Sequence, residues 1–190
     1  MSYFERGVPS YILKHLVERK AQEFRVYLGV GADEPVDGFQ IADWLGIDVE
    51  HLQELSRLPG DICQLLLQED RWSGLTCHLP NGIIKVVLNP THSARRQQAT
   101  LMEEIAHVHL DHKPSVIALD ETTGLLKRTY DRRQEEEAYL FGSAVLVPKG
   151  GLQALYKQGC APDSVATHYG VSHELIVYRT NLHGMKKLVK

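Results

Sequence analysis

The segment from residue 93 to residue 112 constrains the fold of this 190-residue chain more than any other. Ser93 can cap the start of a helix, and Lys113-Pro114 ends it, because the residue before a proline avoids the helical conformation. A wheel of 100° per residue gathers apolar side chains on one face: Leu101, Ile105 and Val108. Polar side chains fall within about 100° on another face: Thr100, Glu103, Glu104, His107 and Asp111. The pattern predicts an amphipathic helix that presents carboxylates and an imidazole together.

The stretch EEIAH within this helix has the spacing of a metal site. In the HExxH arrangement, residues i and i+4 bind a metal and the glutamate at i+1 acts on metal-bound water. Glu103 stands at the first position instead of histidine, Glu104 at the second and His107 at the last. A carboxylate is an acceptable zinc ligand, and its charge also favours harder metals such as Mn²⁺ or Fe²⁺. The alternative is a solvated helix face, where glutamate and histidine are common.

A second helix is predicted from near Asp131 through QEEEAYLFGSAVL, ending at Val147-Pro148. On its wheel Glu137 falls on the apolar face, which a glutamate tolerates only when it is paired or metal-bound. We therefore predict Glu137 as the third ligand. Glu135 and Glu136 are explained as acidic residues that face water in the first helical turn.

The remaining elements are mostly helical, with one clear hairpin. The hairpin is formed by WSGLTCHL and IIKVVLN, which flank the turn-forming PNG at residues 80–82. Helical patterns are predicted in three further segments, and strand and loop in a fourth: residues 10–28, 37–46 and 60–68 for the helices, and 114–130 for the strand and loop.

With these segments in place, the chain resembles the ImmA/IrrE family of metallopeptidase-like proteins over nearly its whole length. The resemblance rests on VVLNP, TLMEEIAHVHLDH, EEEAYLFGSAVLVP and GVSHELIVYR, in that order. It implies an α+β fold, with a mainly helical zincin-like core and a small β-hairpin or sheet on the motif helix. The domains expected are an N-terminal helical part at 1–70, the metallopeptidase core at 71–150 and a helical region at 151–190.

The resemblance also implies a function and roles for single residues. Family members cleave or antagonise a helix-turn-helix repressor and so switch on a stress or mobile-element response. Glu104 falls on the general base, His107 on a metal ligand and Glu137 on the third ligand, while Glu103 stands where the first histidine belongs. The cofactor expected is a divalent metal, Zn²⁺ foremost, with Mn²⁺ or Fe²⁺ as alternatives in so carboxylate-rich a site. Tyr130, just before the second helix, is a candidate transition-state donor.

Two other readings remain open beside the peptidase. Glu103 at the first ligand position also fits a catalytically silent protein that binds a repressor. The stretch PDSVATHYGVSHELIVYR in 161–190 resembles a helix-turn-helix, with Gly170 at the turn, and makes DNA binding a competitor. Its second helix, however, carries Glu174 and mostly apolar residues.

Composition limits the classes of partner that the protein is expected to bind. The formal net charge is −3, so no strong field invites nucleic acid or an anionic membrane surface. The three cysteines form no CxxC pair, which argues against a disulfide framework and a thiolate zinc site. No apolar run approaches the roughly 18 residues of a membrane span. A cytoplasmic protein with a protein partner is expected.

Overall fold

Helices dominate the protein, with two small β-sheets beside them. The computed structural model describes residues 10–51, 73–113, 117–119, 126–128 and 131–189. Its helices are α1 (Ser10–Tyr27), α2 (Gly38–Trp44), α3 (Ala94–His109), α4 (Arg132–Leu146), α5 (Lys149–Lys157), α6 (Pro162–Tyr169) and α7 (His173–Leu182). Its strands are β1 (Ile47–His51), β2 (Gly74–His78), β3 (Ile84–Leu88), β4 (Ile117–Leu119) and β5 (Leu126–Arg128). The predicted α+β class, with a helical core and a small sheet, is confirmed.

The larger sheet contains the predicted hairpin. Strands β2 and β3 pair antiparallel, and Gly82 in the turn between them has φ +82°. Strand β1 pairs parallel with β3 on its other side, which gives the order β1-β3-β2. Strand β1 was not predicted from the sequence, because its alternation of Ile47 and Val49 with acidic residues covers only about four positions, the shortest run that indicates a strand. Its pairing depends on a distant partner strand.

Helices α3 and α4 begin where their capping residues predict. The Ser93 side chain accepts a hydrogen bond from the backbone N–H of Arg96 at 3.3 Å. The Asp131 side chain accepts from the N–H groups of Arg133 at 3.0 Å and Gln134 at 3.4 Å. Such caps satisfy N–H groups that have no partner inside the helix.

Helix α3 ends at His109, three residues before the predicted end, and a left-handed residue follows its C-cap residue Leu110. Asp111 has φ +54°. The N–H of Asp111 donates to Val108 O at 3.2 Å, and the N–H of His112 donates to His107 O at 3.0 Å. This pair of bonds defines a Schellman motif, which reverses the chain at the helix end. His112 is thereby brought back beside the last turn of α3.

A close crossing of α3 and α4 forms the centre of the core. A Cβ atom built on Gly142 of α4 would lie 2.9 Å from the backbone oxygen of Met102 in α3. Around the crossing, the two helices contribute side chains that are 0% exposed: Leu101, Met102, Ile105, Ala106, Ala138, Phe141 and Val145. Helix α1 also packs on α4. The absent side chain at Gly142 sets how closely the two motif helices approach.

A buried arginine attaches the C-terminal helices to this core. Arg179 of α7 is 0% exposed, and its Nε donates to Val147 O at 2.9 Å. Its guanidinium also donates to Glu18 of α1, which accepts from His183 at 3.0 Å as well. Burial by itself would raise the pKa of Glu18, but the hydrogen bonds from His183 and Arg179 outweigh it and lower the pKa to about 2. Arg179 therefore serves packing rather than an exposed basic surface.

Several expectations fall outside the described ranges. These include the helix at 60–68, Tyr130, and most of 114–130, of which the antiparallel strands β4 and β5 are described. The division into parts ending at residues 70 and 150 stays a prediction. Within the described ranges, no helix combines the length and apolar character that crossing a bilayer demands.

The crossing predicts opposite outcomes for two glycine-to-alanine substitutions. Gly142→Ala should lower the free energy of unfolding by about 1–3 kcal/mol, because its methyl group meets backbone that cannot move without separating the helices. Gly150→Ala is the matched control, since its nearest atom would be an ordinary 3.9 Å away. It should leave stability unchanged or raise it by up to about 1 kcal/mol. Urea denaturation checks both, and equal effects would contradict the packing described.

The Glu18–Arg179 pair predicts a specific acid dependence. Glu18 has a depressed pKa, so its contribution is complete above its ordinary pKa of 4.5 and is lost as the pH falls toward about 2. Glu18→Gln should therefore lower the free energy of unfolding at pH 7, by up to about 3 kcal/mol. The difference in the free energy of unfolding between Glu18→Gln and wild type should become smaller as the pH falls from 4.5 to 2. Glu23→Gln, in an exposed pair with Arg19, should change stability by less than about 0.5 kcal/mol at either pH.

Candidate metal centre

Three side chains from the two crossing helices converge. Glu103 and His107 lie one turn apart on α3, and Glu135 lies in the first turn of α4. Each offers a ligand atom, and these three atoms lie within 4.8 Å of one another. His107 Nε2 is 3.8 Å from a carboxylate oxygen of Glu135. The group therefore consists of the i and i+4 residues of α3 and one residue of α4.

The donor set fits a divalent metal. Around a tetrahedral ion with bonds of about 2.0–2.2 Å, ligand atoms lie roughly 3.3–3.6 Å apart. The distance of 3.8 Å between His107 and Glu135 is near this range, and all three atoms lie within 4.8 Å of one another. The His107 and Glu135 side chains are only 15% and 17% exposed. Two carboxylates this close repel each other, and a cation between them removes that repulsion. Three protein ligands leave a fourth position for water or substrate, as in catalytic sites.

Glu104 lies against the sheet, next to this group. It is 6% exposed and accepts a hydrogen bond from Thr76 Oγ1 of β2 at 2.5 Å. Gly74 of β2 makes room for it, because a Cβ there would lie 2.6 Å from Thr100 Cγ2 and 3.3 Å from Glu104 Cγ. The hairpin thus packs directly on the helix and fixes one oxygen of the Glu104 carboxylate.

Glu137, predicted as the third ligand, lies beside His112. Its side chain is 1% exposed, and its Oε2 lies 3.6 Å from Nε2 of His112. The structure groups Glu135, not Glu137, with Glu103 and His107. The wheel identified Glu137 by its burial, but burial does not reveal whether the partner is a metal or another side chain. The assignment of Glu137 as a ligand stays a prediction, and the geometry favours Glu135.

Tyr139 and Thr76 were missed at the sequence level. Tyr139 lies one turn after Glu135, and this i, i+4 spacing is the signal that could have found it. Burial raises the pKa of Tyr139, and the nearby Glu103 carboxylate raises it further, so its phenol keeps its proton. Nothing in the local sequence marks Thr76, because its contact with Glu104 depends on tertiary packing.

His109 of α3 has a packing role. Its ring lies 4.6 Å from the Phe24 ring and stacks on Phe141 at 5.3 Å. Burial lowers its pKa. These contacts place it on the face of α3 that meets α1 and α4.

Comparison with known proteins identifies the family of the chain. The family model described as the IrrE N-terminal-like domain, a peptidase family, matches residues 73–181. That segment runs from the hairpin through both motif helices to the end of α7, and it covers more than half of the chain. A search among curated proteins finds no match. The chain belongs to the IrrE N-terminal-like family of metallopeptidase-like proteins.

Proposed function

We propose that the protein is a cytoplasmic, metal-dependent endopeptidase that acts on another protein. The observation that carries the proposal is the convergence of Glu103, His107 and Glu135 beside the buried Glu104. A metal held there would supply a Lewis acid and an activated water at neutral pH. The two carboxylates make Mn²⁺ and Fe²⁺ alternatives to Zn²⁺.

Glu104 is the general base in this proposal. Its carboxylate takes a proton from the attacking water and passes it to the leaving amine. The hydrogen bond from Thr76 holds the carboxylate in one orientation through both transfers. Tyr139, neutral and close to Glu103, is a candidate donor to the oxygen that becomes negative, and Tyr130 stays a second candidate.

The position of β2 supports an extended peptide substrate. In the described part of the larger sheet, β2 pairs with β3 on one side only. Its Thr76 contacts Glu104, so the other edge of β2 runs past the site. A sheet edge offers N–H and C=O groups that can pair with an extended peptide. Such pairing would present backbone rather than side chains to Glu104.

For the partner, we propose a helix-turn-helix repressor in a stress or mobile-element switch. The family resemblance supports this choice. The competing hypothesis is DNA binding by the helix-turn-helix pattern, and its second helix, α7, is described by the structure. Its exposed side chains include the acidic Glu174, whereas Arg179 is buried. That surface suits a protein partner better than a phosphate backbone.

A non-catalytic regulator is the second candidate. The observation that favours it is Glu103, a carboxylate where the family pattern has histidine. An added negative charge raises the pKa of metal-bound water and weakens the Lewis acid. Such a protein would bind the same partner without cleaving it.

Elemental analysis of protein purified without an affinity tag tests the centre. Wild type should carry about one divalent metal per chain, and His107→Ala and Glu135→Gln should lose it, because each removes a ligand. Glu136→Gln is the matched control, since Glu136 is exposed on the same turn of α4 and lies outside the group. Retention of metal by Glu135→Gln and its loss in Glu137→Gln would restore Glu137 as the third ligand. Metal-free wild type, even after added Zn²⁺ or Mn²⁺, would exclude the peptidase.

Glu104→Gln separates binding from catalysis. The variant should keep its metal, yet cleave unfolded β-casein at least about 100-fold more slowly, because the amide cannot accept the proton. Product formation is followed by mass spectrometry at matched metal content. Metal-loaded wild type that cleaves neither casein nor a helix-turn-helix repressor would favour the non-catalytic candidate. Equal rates for wild type and Glu104→Gln would remove Glu104 from the mechanism.

A further inference from the structure

A continuous line of buried polar groups leads away from the candidate metal centre. Nδ1 of His107 lies 3.1 Å from Nδ1 of His112, with the two rings 4.9 Å apart and inclined at 77°. On the far side of its ring, Nε2 of His112 lies 3.6 Å from Oε2 of Glu137. The His112 and Glu137 side chains are each 1% exposed. The three groups therefore interact with little water between them.

The cap of α3 creates this arrangement. The left-handed backbone at Asp111 lets the His112 N–H donate to His107 O at 3.0 Å. Backbone and side chain of His112 thus both contact the same residue. A chain that continued straight from the helix end would carry the imidazole away from His107.

Hydrogen-bond chemistry and burial together favour one proton arrangement. Between two neutral imidazoles joined Nδ1 to Nδ1, one nitrogen must carry the hydrogen and the other must accept it. If His112 donated, its Nε2 would turn a lone pair toward the Glu137 carboxylate, which is repulsive. With the proton on Nε2, His112 faces Glu137 favourably and accepts at Nδ1. His107 then carries its proton on Nδ1, which leaves the lone pair on Nε2. The opposite arrangement would instead turn the Nε2–H of His107 toward Glu135 at 3.8 Å. The contact of His112 with Glu137 is shorter and its side chains are 1% exposed, against 15% and 17%, so its electrostatic preference is the stronger one.

We infer that His112 and Glu137 are positioning residues that hold His107 in the tautomer whose Nε2 lone pair faces Glu103 and Glu135. The inference rests on the proposed function for its purpose, because a metal ligand needs that lone pair. Glu137 acts through His112 and touches no substrate. Its burial on α4 is explained by this role without direct ligation.

The tautomer can be measured directly in metal-free wild type. Two-bond ¹H–¹⁵N correlation spectra at pH 8 distinguish a proton on Nδ1 from one on Nε2. We expect the Nδ1–H form for His107 and the Nε2–H form for His112. The opposite forms, or a fast equal mixture for either ring, would overturn the inference. No variant has to fold for this result.

Three variants then connect the tautomer to metal affinity. His112→Leu removes the acceptor and should weaken binding of Zn²⁺ or Mn²⁺ about 10- to 100-fold. His112→Asn can accept through its amide oxygen where Nδ1 stood, and it should recover most of the affinity. Glu137→Gln should give a mixture of His107 tautomers and an intermediate loss. His109→Asn, on the same turn but packed on Phe24 and Phe141, is the control and should bind metal as wild type does.

The outcomes separate this inference from the proposed function. If wild type binds no metal, the peptidase proposal fails, yet the spectra still support or overturn the tautomer assignment. If wild type binds metal and His112→Leu binds it equally well, the centre stands and the positioning role is wrong. A loss in His112→Leu that His112→Asn does not recover would mean that packing, not the hydrogen bond, is responsible.

Discussion

The contact of α4 with the backbone of α3 at Gly142 is the constraint on which the rest of the structure depends. Because no side chain separates the helices there, they approach closely enough for Glu135 to meet Glu103 and His107. The same approach buries the apolar faces of both helices. Packing and ligand geometry are therefore set by one crossing, and a change in its distance alters both together.

The charged groups of the site depend on that packing in turn. Carboxylates are costly inside a protein unless each has a partner. Glu104 accepts a hydrogen bond from Thr76 of the hairpin, and Glu137 lies against His112. Glu103 and Glu135 instead lie close to each other and to His107. Only the third arrangement brings three ligand atoms from two helices together, as a bound cation would require. This convergence distinguishes the proposed metal position from the other two carboxylates.

Much of this could be predicted from local sequence. The two motif helices and the hairpin could be predicted from the caps Ser93 and Asp131 and from the PNG turn. The hydrogen bonds of these features are made within a few residues, so the local sequence is enough to recognise them. Strand β1 was missed because its partner strand is distant. The choice between Glu135 and Glu137 required the rotation of α4 relative to α3. A helical wheel describes one helix and contains no information about that rotation.

The ligand atoms of the proposed centre come from two helices that are distant in sequence and meet only in the folded chain. An unfolded chain offers no such site, so a cation bound there adds its binding free energy to folding. At a free concentration 100 times the dissociation constant, this amounts to about 2.7 kcal/mol. The amount of folded protein would then follow the supply of the metal. A centre built from two carboxylates and one imidazole would thus make the stability of the chain, as well as its activity, a readout of metal availability.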